Sequence, residues 1–273
     1  MKGYIKRLLR WLIKGIPEKH ITVTTAQLSY GHAMEGKSVL ITGGNSGIGF
    51  STAKKCISEG ARVLIIGRRE DKNKAACEQL GPNAEYITFD LSDTEKIQGV
   101  MDEACSRLGK IDYCVCNAGI SQGIHSFNDV TPEIWQDIMN VHFKGAYFTA
   151  REYIIRKKEG EEGSIVFTSS DWSFLSGGAD WPYGIAKGAI NSMTMGMSTG
   201  FYHKGIRVNA VAPGITATPM TGVSPDENMY SDRKCGRKFL PEEVAEVIFF
   251  LLSDASKCLS GLVIPTDGGD FLR

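Results

Sequence analysis

Residues 41–50 read ITGGNSGIGF, and the placement of their glycines decides how the chain is read. Gly43, Gly47 and Gly49 follow an apolar run, KSVLIT, and open a segment of helical spacing, SGIGFSTAKKCISEGA. A short apolar run bounded by glycine reads as a buried strand. Glycines at its end let the chain turn tightly and let backbone N–H groups approach a bound anion. The helix start behind them adds unpaired donors and the positive end of a dipole. A strand, a glycine turn and a helix in that order predict the first half of a β-α-β unit that holds a pyrophosphate. RVLIIGRR, at 62–69, supplies the second strand.

The same alternation continues outward. EYITFDLSD is a third strand and TEKIQGVMDEACSRLG a helix. IDYCVCNAG is a fourth strand, in which Cys114 and Cys116 share a face. A long helix is predicted over 131–160, with Thr131 as N-cap and Pro132 in its first turn. SIVFTSS, IRVNAVAPG and GLVIPTDGG give three more strands. Helices separate them, one running from about Tyr183 past Met197 and one starting at Pro241. Apolar strands alternating with helices predict an α/β, single-domain Rossmann fold: a doubly wound parallel sheet of about seven strands with helices on both faces. That domain spans 36–273.

Composition agrees with this reading. The 273 residues are 42% hydrophobic and 23% charged, enough to bury a sizeable core. Lys and Arg together equal Asp and Glu at 31 each, so no global charge favours nucleic acid. The seven cysteines are scattered, with no metal-type pair, and are expected to be reduced core residues of a cytoplasmic protein. No metal site is expected. Residues 1–35 stand apart. Within 2–16, Tyr4, Ile5, Leu8, Leu9, Leu12 and Ile16 alternate at helical spacing with Lys2, Lys6, Arg7, Arg10 and Lys14. This is a basic amphipathic helix, broken by charge too often for a signal peptide. It is read as a contact to the rest of the protein or to a second subunit, as a peripheral contact to an anionic membrane surface, or as a disordered leader.

The glycine spacing from Thr42 to Gly49 is T-G-x-x-x-G-x-G, and here the chain resembles the short-chain dehydrogenase/reductase family. Asp90 and Leu91 end the third strand where the family contacts the adenine. Asn117, Ala118 and Gly119 match its N-A-G, with Cys116 replacing the usual preceding asparagine. Asn140 matches the family's helix asparagine. Ser170 lies 13 residues before Tyr183, and Lys187 follows Tyr183 by four. Pro213, Gly214, Thr218 and Met220 match a further stretch, and TDGG resembles the family's terminal D-G-G. The resemblance implies a nicotinamide dinucleotide held by Thr42, Gly43, Asn45, Ser46, Gly47, Ile48 and Gly49. It also implies contacts from Asn117 to Gly119, Tyr183, Lys187, Pro213, Gly214, Ile215 and Thr218.

The end of the second strand speaks to which dinucleotide. NAD enzymes place an acidic side chain there for the ribose 2′-hydroxyl, and NADP enzymes an arginine for the 2′-phosphate. Gly67 stands at the acidic position, and Arg68 and Arg69 follow. A guanidinium can hold a phosphate bidentately, so NADP(H) is expected, with Arg68 the better candidate. Ser46 adds nothing to that preference.

The resemblance assigns the chemistry. Tyr183 is the general acid in reduction and the base in oxidation. Lys187 is expected to lower its pKa and to hold the nicotinamide ribose. Ser170 donates to the substrate oxygen, and Asn140 steadies a water leading from Lys187 to solvent. Trp172 and Trp181, with Ser170 and Tyr183, are the expected substrate contacts. Asp171 and Asp180 offer partners for hydroxyls, and the stretch from Thr218 to Arg237 is expected to fold over substrate. The layout looks most like 3-oxoacyl-[acyl carrier protein] reductases. A polyol, sugar or steroid alcohol dehydrogenase is the alternative, and an inactive nucleotide-binding regulatory protein is the reading from another class. Arg233, Lys234, Arg237 and Lys238 form a possible basic patch for an acidic carrier. Gly196 and Gly200 share a helix face on which a homo-oligomer, dimer or tetramer, could assemble.

Overall fold

The computed structural model describes residues 19–25, 28–124, 126–174 and 180–271. The amphipathic stretch 2–16 lies outside the described residues. Seven strands form one sheet: β1 (Ser38–Thr42), β2 (Arg62–Gly67), β3 (Ala84–Thr88), β4 (Tyr113–Cys116), β5 (Gly163–Thr168), β6 (Ile206–Pro213) and β7 (Val263–Thr266). All pairings are parallel, in the order β3-β2-β1-β4-β5-β6-β7. The order reverses between β1 and β4, which opens a crevice at the carboxyl ends of the strands, where open α/β sheets bind ligands.

Side-chain alternation along each strand feeds two cores. Leu40, Cys114, Ile165 and Val208 pack on one face, and Val39, Ile41, Val63 and Val115 on the other. Helices α1 (Gly47–Ser58), α2 (Glu70–Leu80), α3 (Ile97–Leu108), α4 (Pro132–Met139), α5 (Ala146–Ile155), α6 (Trp181–Phe201) and α7 (Pro241–Leu252) cover both. The α2 helix has no counterpart among the predicted elements. The long helix predicted over 131–160 is instead three pieces, because a π-helical turn at Asn140–Gly145 separates α4 from α5. Its start is as read: Thr131 accepts from the Ile134 N–H, and Pro132 occupies the first turn.

The chain before β1 is fastened to the domain at several places, Tyr30 among them, whose N–H donates to Glu59 at 2.9 Å. Met34 is fully buried against the core under α1 and α7. Farther back, Ile21 and Val23 pack with Ala217, Met229 and Leu240, and the Met229 N–H donates to the Ile21 carbonyl at 3.0 Å. Among the described residues no helix is long and apolar enough to cross a membrane.

Candidate active site

The crevice is a cleft of about 820 Å³ that runs from the glycine turn to the start of α6. Its first wall is the turn after β1. Gly43 adopts φ +65°, and a Cβ there would stand 2.8 Å from Ala118 Cα, so only glycine fits. Thr42 is buried beneath this turn and does not line the cleft; its Oγ1 accepts from the Asn117 and Ala118 N–H groups at 3.0 and 3.2 Å. Asn117 spans the crevice floor. Its Nδ2 donates to the Thr42 and Gly43 carbonyls, and its Oδ1 accepts from Thr168. The ends of β1, β4 and β5 are thereby tied into one surface.

Ser46 precedes α1 in extended conformation and its side chain makes no cap bond, so it leaves the first N–H groups of that helix to other partners. Gly49 lies so close to the Gly43 carbonyl that any side chain would collide with it. Asn45, Ser46, Gly47 and Ile48 line this end of the cleft, with Arg68, Arg69, Asp90 and Leu91 beyond them. Ala118, Gly119, Pro213, Gly214, Ile215 and Thr218 line the remainder of the same channel. A glycine cradle at an uncapped helix start, continued by two arginines, fits a dinucleotide with a pyrophosphate in its middle.

The reaction end is built by β5 and α6. Asp180 caps α6 by accepting from the Tyr183 N–H at 3.2 Å, which sets the first turn. One turn on, Lys187 is buried, and its Nζ donates to the Thr168 carbonyl at 2.6 Å. That ammonium lies 5.5 Å from the centre of the Tyr183 ring. Three neighbours of Ser170 are committed elsewhere: Thr168 donates to Asn117, Ser169 donates to Asn191 at 2.6 Å, and Ser173 donates to the Ser170 carbonyl. The Ser170 hydroxyl remains beside the Tyr183 phenol, and it also donates to Asp171 at 3.0 Å.

The electrostatics correct one expectation. The Tyr183 phenol is pushed up to about 12 by burial, opposed by Ser170 and reinforced by Asp171 and Asp180. Lys187 is not among the groups that act on it, and burial drives Lys187 itself down to about 7.

Ser170, Tyr183 and Lys187 therefore meet in one cleft with the glycine turn. Asn140 is not among the residues lining it; its Oδ1 accepts from Gln136 Nε2 at 2.6 Å. Trp172 lines the cleft with its ring edge-on to Tyr183 at 6.1 Å. Trp181 stands outside the lining and is exposed, packing edge-on against Phe127. Asp171 is buried and paired to Arg233, which also meets Asp270 at 3.1 Å. Arg237 pairs with Glu243 and Lys238 Nζ donates to the Asn228 carbonyl at 3.3 Å, so, with Arg233, these cations of the possible basic patch are engaged within the fold.

His142 was not among the predicted site residues. Carried by the π-helical turn, it is 2% exposed and its ring stands edge-on to Tyr183 at 5.2 Å. Its Nε2 contacts the Ile120 backbone, while Nδ1 has no partner among the described residues. Burial, with the Lys187 charge, drives it down to about 3, so it is a neutral wall of the site. Only the helix interruption reveals it, and periodicity carries no sign of that.

Arg233 comes from the segment predicted to cover substrate. Removing it leaves two buried carboxylates without their cation, which in comparable sites costs about 3–5 kcal/mol. Arg233→Ala is expected to lower the urea midpoint sharply and to raise KM more than it lowers kcat. An unchanged midpoint would show that this network does not hold the segment down.

Comparison with known proteins adds the lineage. A family model described as enoyl-(acyl carrier protein) reductase matches residues 43–270. The chain belongs to the short-chain dehydrogenase/reductase family. Its relatives include the cis-4-hydroxycyclohexanecarboxylate dehydrogenase of Sinomonas cyclohexanicum, 30% identical over 88% of this chain and 98% of the relative. The 3-oxoacyl-[acyl-carrier-protein] reductase of Thermotoga maritima is 34% identical over 86% and 98%. The 3α-hydroxysteroid dehydrogenase of Mediterraneibacter gnavus is 32% identical over 86% and 97%. The crystal structure of the 3-ketoacyl-(acyl-carrier-protein) reductase of Brucella melitensis, complexed with NADH, superposes with a TM-score of 0.81 at 29% identity, covering 87% of this chain and 99% of that one. As a short-chain dehydrogenase/reductase, the protein is an oxidoreductase that acts on a carbonyl or alcohol with a nicotinamide dinucleotide.

Proposed function

We propose that the protein is an NADP(H)-dependent reductase that converts a ketone to a secondary alcohol, with Tyr183 as the proton donor. The observation that carries this reading is the meeting of Ser170, Tyr183 and Lys187 in the cleft that begins at the glycine turn. When bound, the dinucleotide supplies or accepts the hydride. The chain's own residues handle the proton and the charge. Ser170 turns its hydroxyl to the substrate oxygen as negative charge develops there. Tyr183 gives up its phenolic proton to that oxygen, and its high pKa keeps it protonated until then. Lys187 holds the ribose of the bound dinucleotide. Asn140 is proposed to serve proton resupply through its part of the helix break.

The NADP(H) preference rests on Gly67, Arg68 and Arg69. No carboxylate stands at the end of β2 to repel a phosphate, and both arginines line the cleft. Arg68→Ala is expected to weaken NADPH binding about tenfold or more and to leave NADH binding nearly unchanged. Steady-state turnover of the unaltered protein with NADPH and with NADH tests the preference directly. Equal or better use of NADH would end this assignment.

The substrate is read as a 3-oxoacyl-thioester or another apolar ketone. A ring alcohol, such as a steroid, is the second reading, favoured by the Trp172 edge at the reacting end and by the cyclic-alcohol dehydrogenases among the relatives. A sugar is less well served, since Asp171 is taken by Arg233 and Ser170. A homo-oligomer, dimer or tetramer, is supported by exposed Tyr147 and Ile155 on α5 and Met195 on α6. A cytoplasmic location is supported by seven free cysteines.

A further inference from the structure

The α2 helix turns one face to the core through Asn73, Ala76 and Leu80. An apolar residue would complete that face. Asn73 stands there instead, with 0% exposure. A buried amide is expensive unless its donors and acceptor are all used. Here they join three elements. Nδ2 donates to the Gly67 carbonyl at 2.8 Å and to Thr88 Oγ1 at 3.1 Å, while Oδ1 accepts from Asn45 Nδ2 at 2.6 Å. Asn73 thus ties the glycine turn to the ends of β2 and β3, directly behind Arg68 and Arg69. A departure from the core pattern that is fully satisfied, at the edge of a binding cleft, points to a role beyond packing.

The role follows from the space around Gly67. A Cβ at that position would collide with both Asn45 Nδ2 and Asn73 Oδ1. Position 67 is where a carboxylate for the ribose 2′-hydroxyl would have to stand. We propose that Asn73 is a selectivity-determining positioning residue: by holding Asn45 against Gly67 it keeps position 67 free of any side chain and leaves the adenosine-ribose end of the cleft to Arg68 and Arg69. This rests on the NADP(H) reading above, and it adds the device that enforces it.

A four-protein cycle tests it, with dissociation constants for NADPH and NADH read by fluorescence titration and folding checked by circular dichroism and thermal melting. In Gly67→Asp alone, the new side chain is forced against the amide pair, and binding of both dinucleotides is expected to fall about tenfold or more. In the double variant with Asn73→Ala, Asn45 is released and the carboxylate has room. NADH affinity is then expected to recover about tenfold over the single variant while NADPH stays weak. That non-additivity is the signature of the amide pair acting as the barrier. The proposal is overturned if Gly67→Asp binds NADH as tightly as the unaltered protein, or if the double variant binds it no better than the single. Should either variant fail to fold, Gly67→Ala and Asn73→Ser pose the same collision and the same release: both dinucleotides are expected to bind more weakly to the single variant and, with no carboxylate to repel the phosphate, both are expected to recover in the double; no loss in the single variant, or no recovery in the double, overturns the proposal. The NADP(H) reading is judged separately, by the two constants of the unaltered protein.

Discussion

Tyr183→Phe is expected to lower kcat by about 10³-fold or more and to leave dinucleotide affinity within about threefold, in line with the loss of a positioned general acid. The substitution removes one oxygen and little else. Ring packing against His142 at 5.2 Å and Trp172 at 6.1 Å is available to phenylalanine as to tyrosine. Lys187 keeps its bond to the Thr168 carbonyl, so the floor of the site is undisturbed. A structural role for Tyr183 would instead appear as lost stability or lost cofactor binding. Fluorescence titration beside steady-state kinetics separates the two. Activity within tenfold of the unaltered protein would reject Tyr183 as the proton donor.

Lys187→Met is expected to abolish turnover and, at neutral pH, to stabilise the fold. Lys187 is buried, and burial drives it from 10.5 in the unfolded chain down to about 7. Between those values the unfolded chain binds a proton that the folded protein releases. Stability of the unaltered protein therefore rises with pH through this window, by up to about 1.4 kcal/mol per unit, and falls as pH drops toward 7. Methionine fills the space without that penalty, while the lost bond to Thr168 subtracts a term independent of pH. The advantage of the variant should be largest near pH 7 and shrink toward pH 10. Melting temperatures of both proteins across that range check it. A constant difference would mean that Lys187 carries its proton throughout.

Strands β1, β2, β4 and β6 were legible because each is an apolar run closed by glycine, asparagine or proline. The reaction trio was legible because Ser170, Tyr183 and Lys187 keep a fixed spacing. What escaped lies where local pattern and tertiary contact part company. The α2 segment EDKNKAACEQL buries only three side chains, one of them the polar Asn73, so its periodicity is faint. The π-helical turn keeps helical composition on both sides, which hid both the break and His142. Trp181, next to Tyr183 but one in sequence, points away from the lining because two residues along a helix face different directions. Arg233 and Asp171 are 62 residues apart, and no spacing rule joins them. Lys187 was misjudged for a related reason: its charge was legible, but its burial is a property of the fold.

The central claim is that the cleft transfers hydride to a carbonyl while Tyr183 supplies the proton. The most direct measurement is label transfer: NADPH deuterated at the transferable position, incubated with the protein and a panel of acyl-thioesters, steroid ketones, ketoses and small ketones, with products read by mass spectrometry. Deuterium on the carbinol carbon of at least one product, absent with Tyr183→Phe, is the expected result. No labelled alcohol from any carbonyl class, or equal labelling by both proteins, would contradict the account.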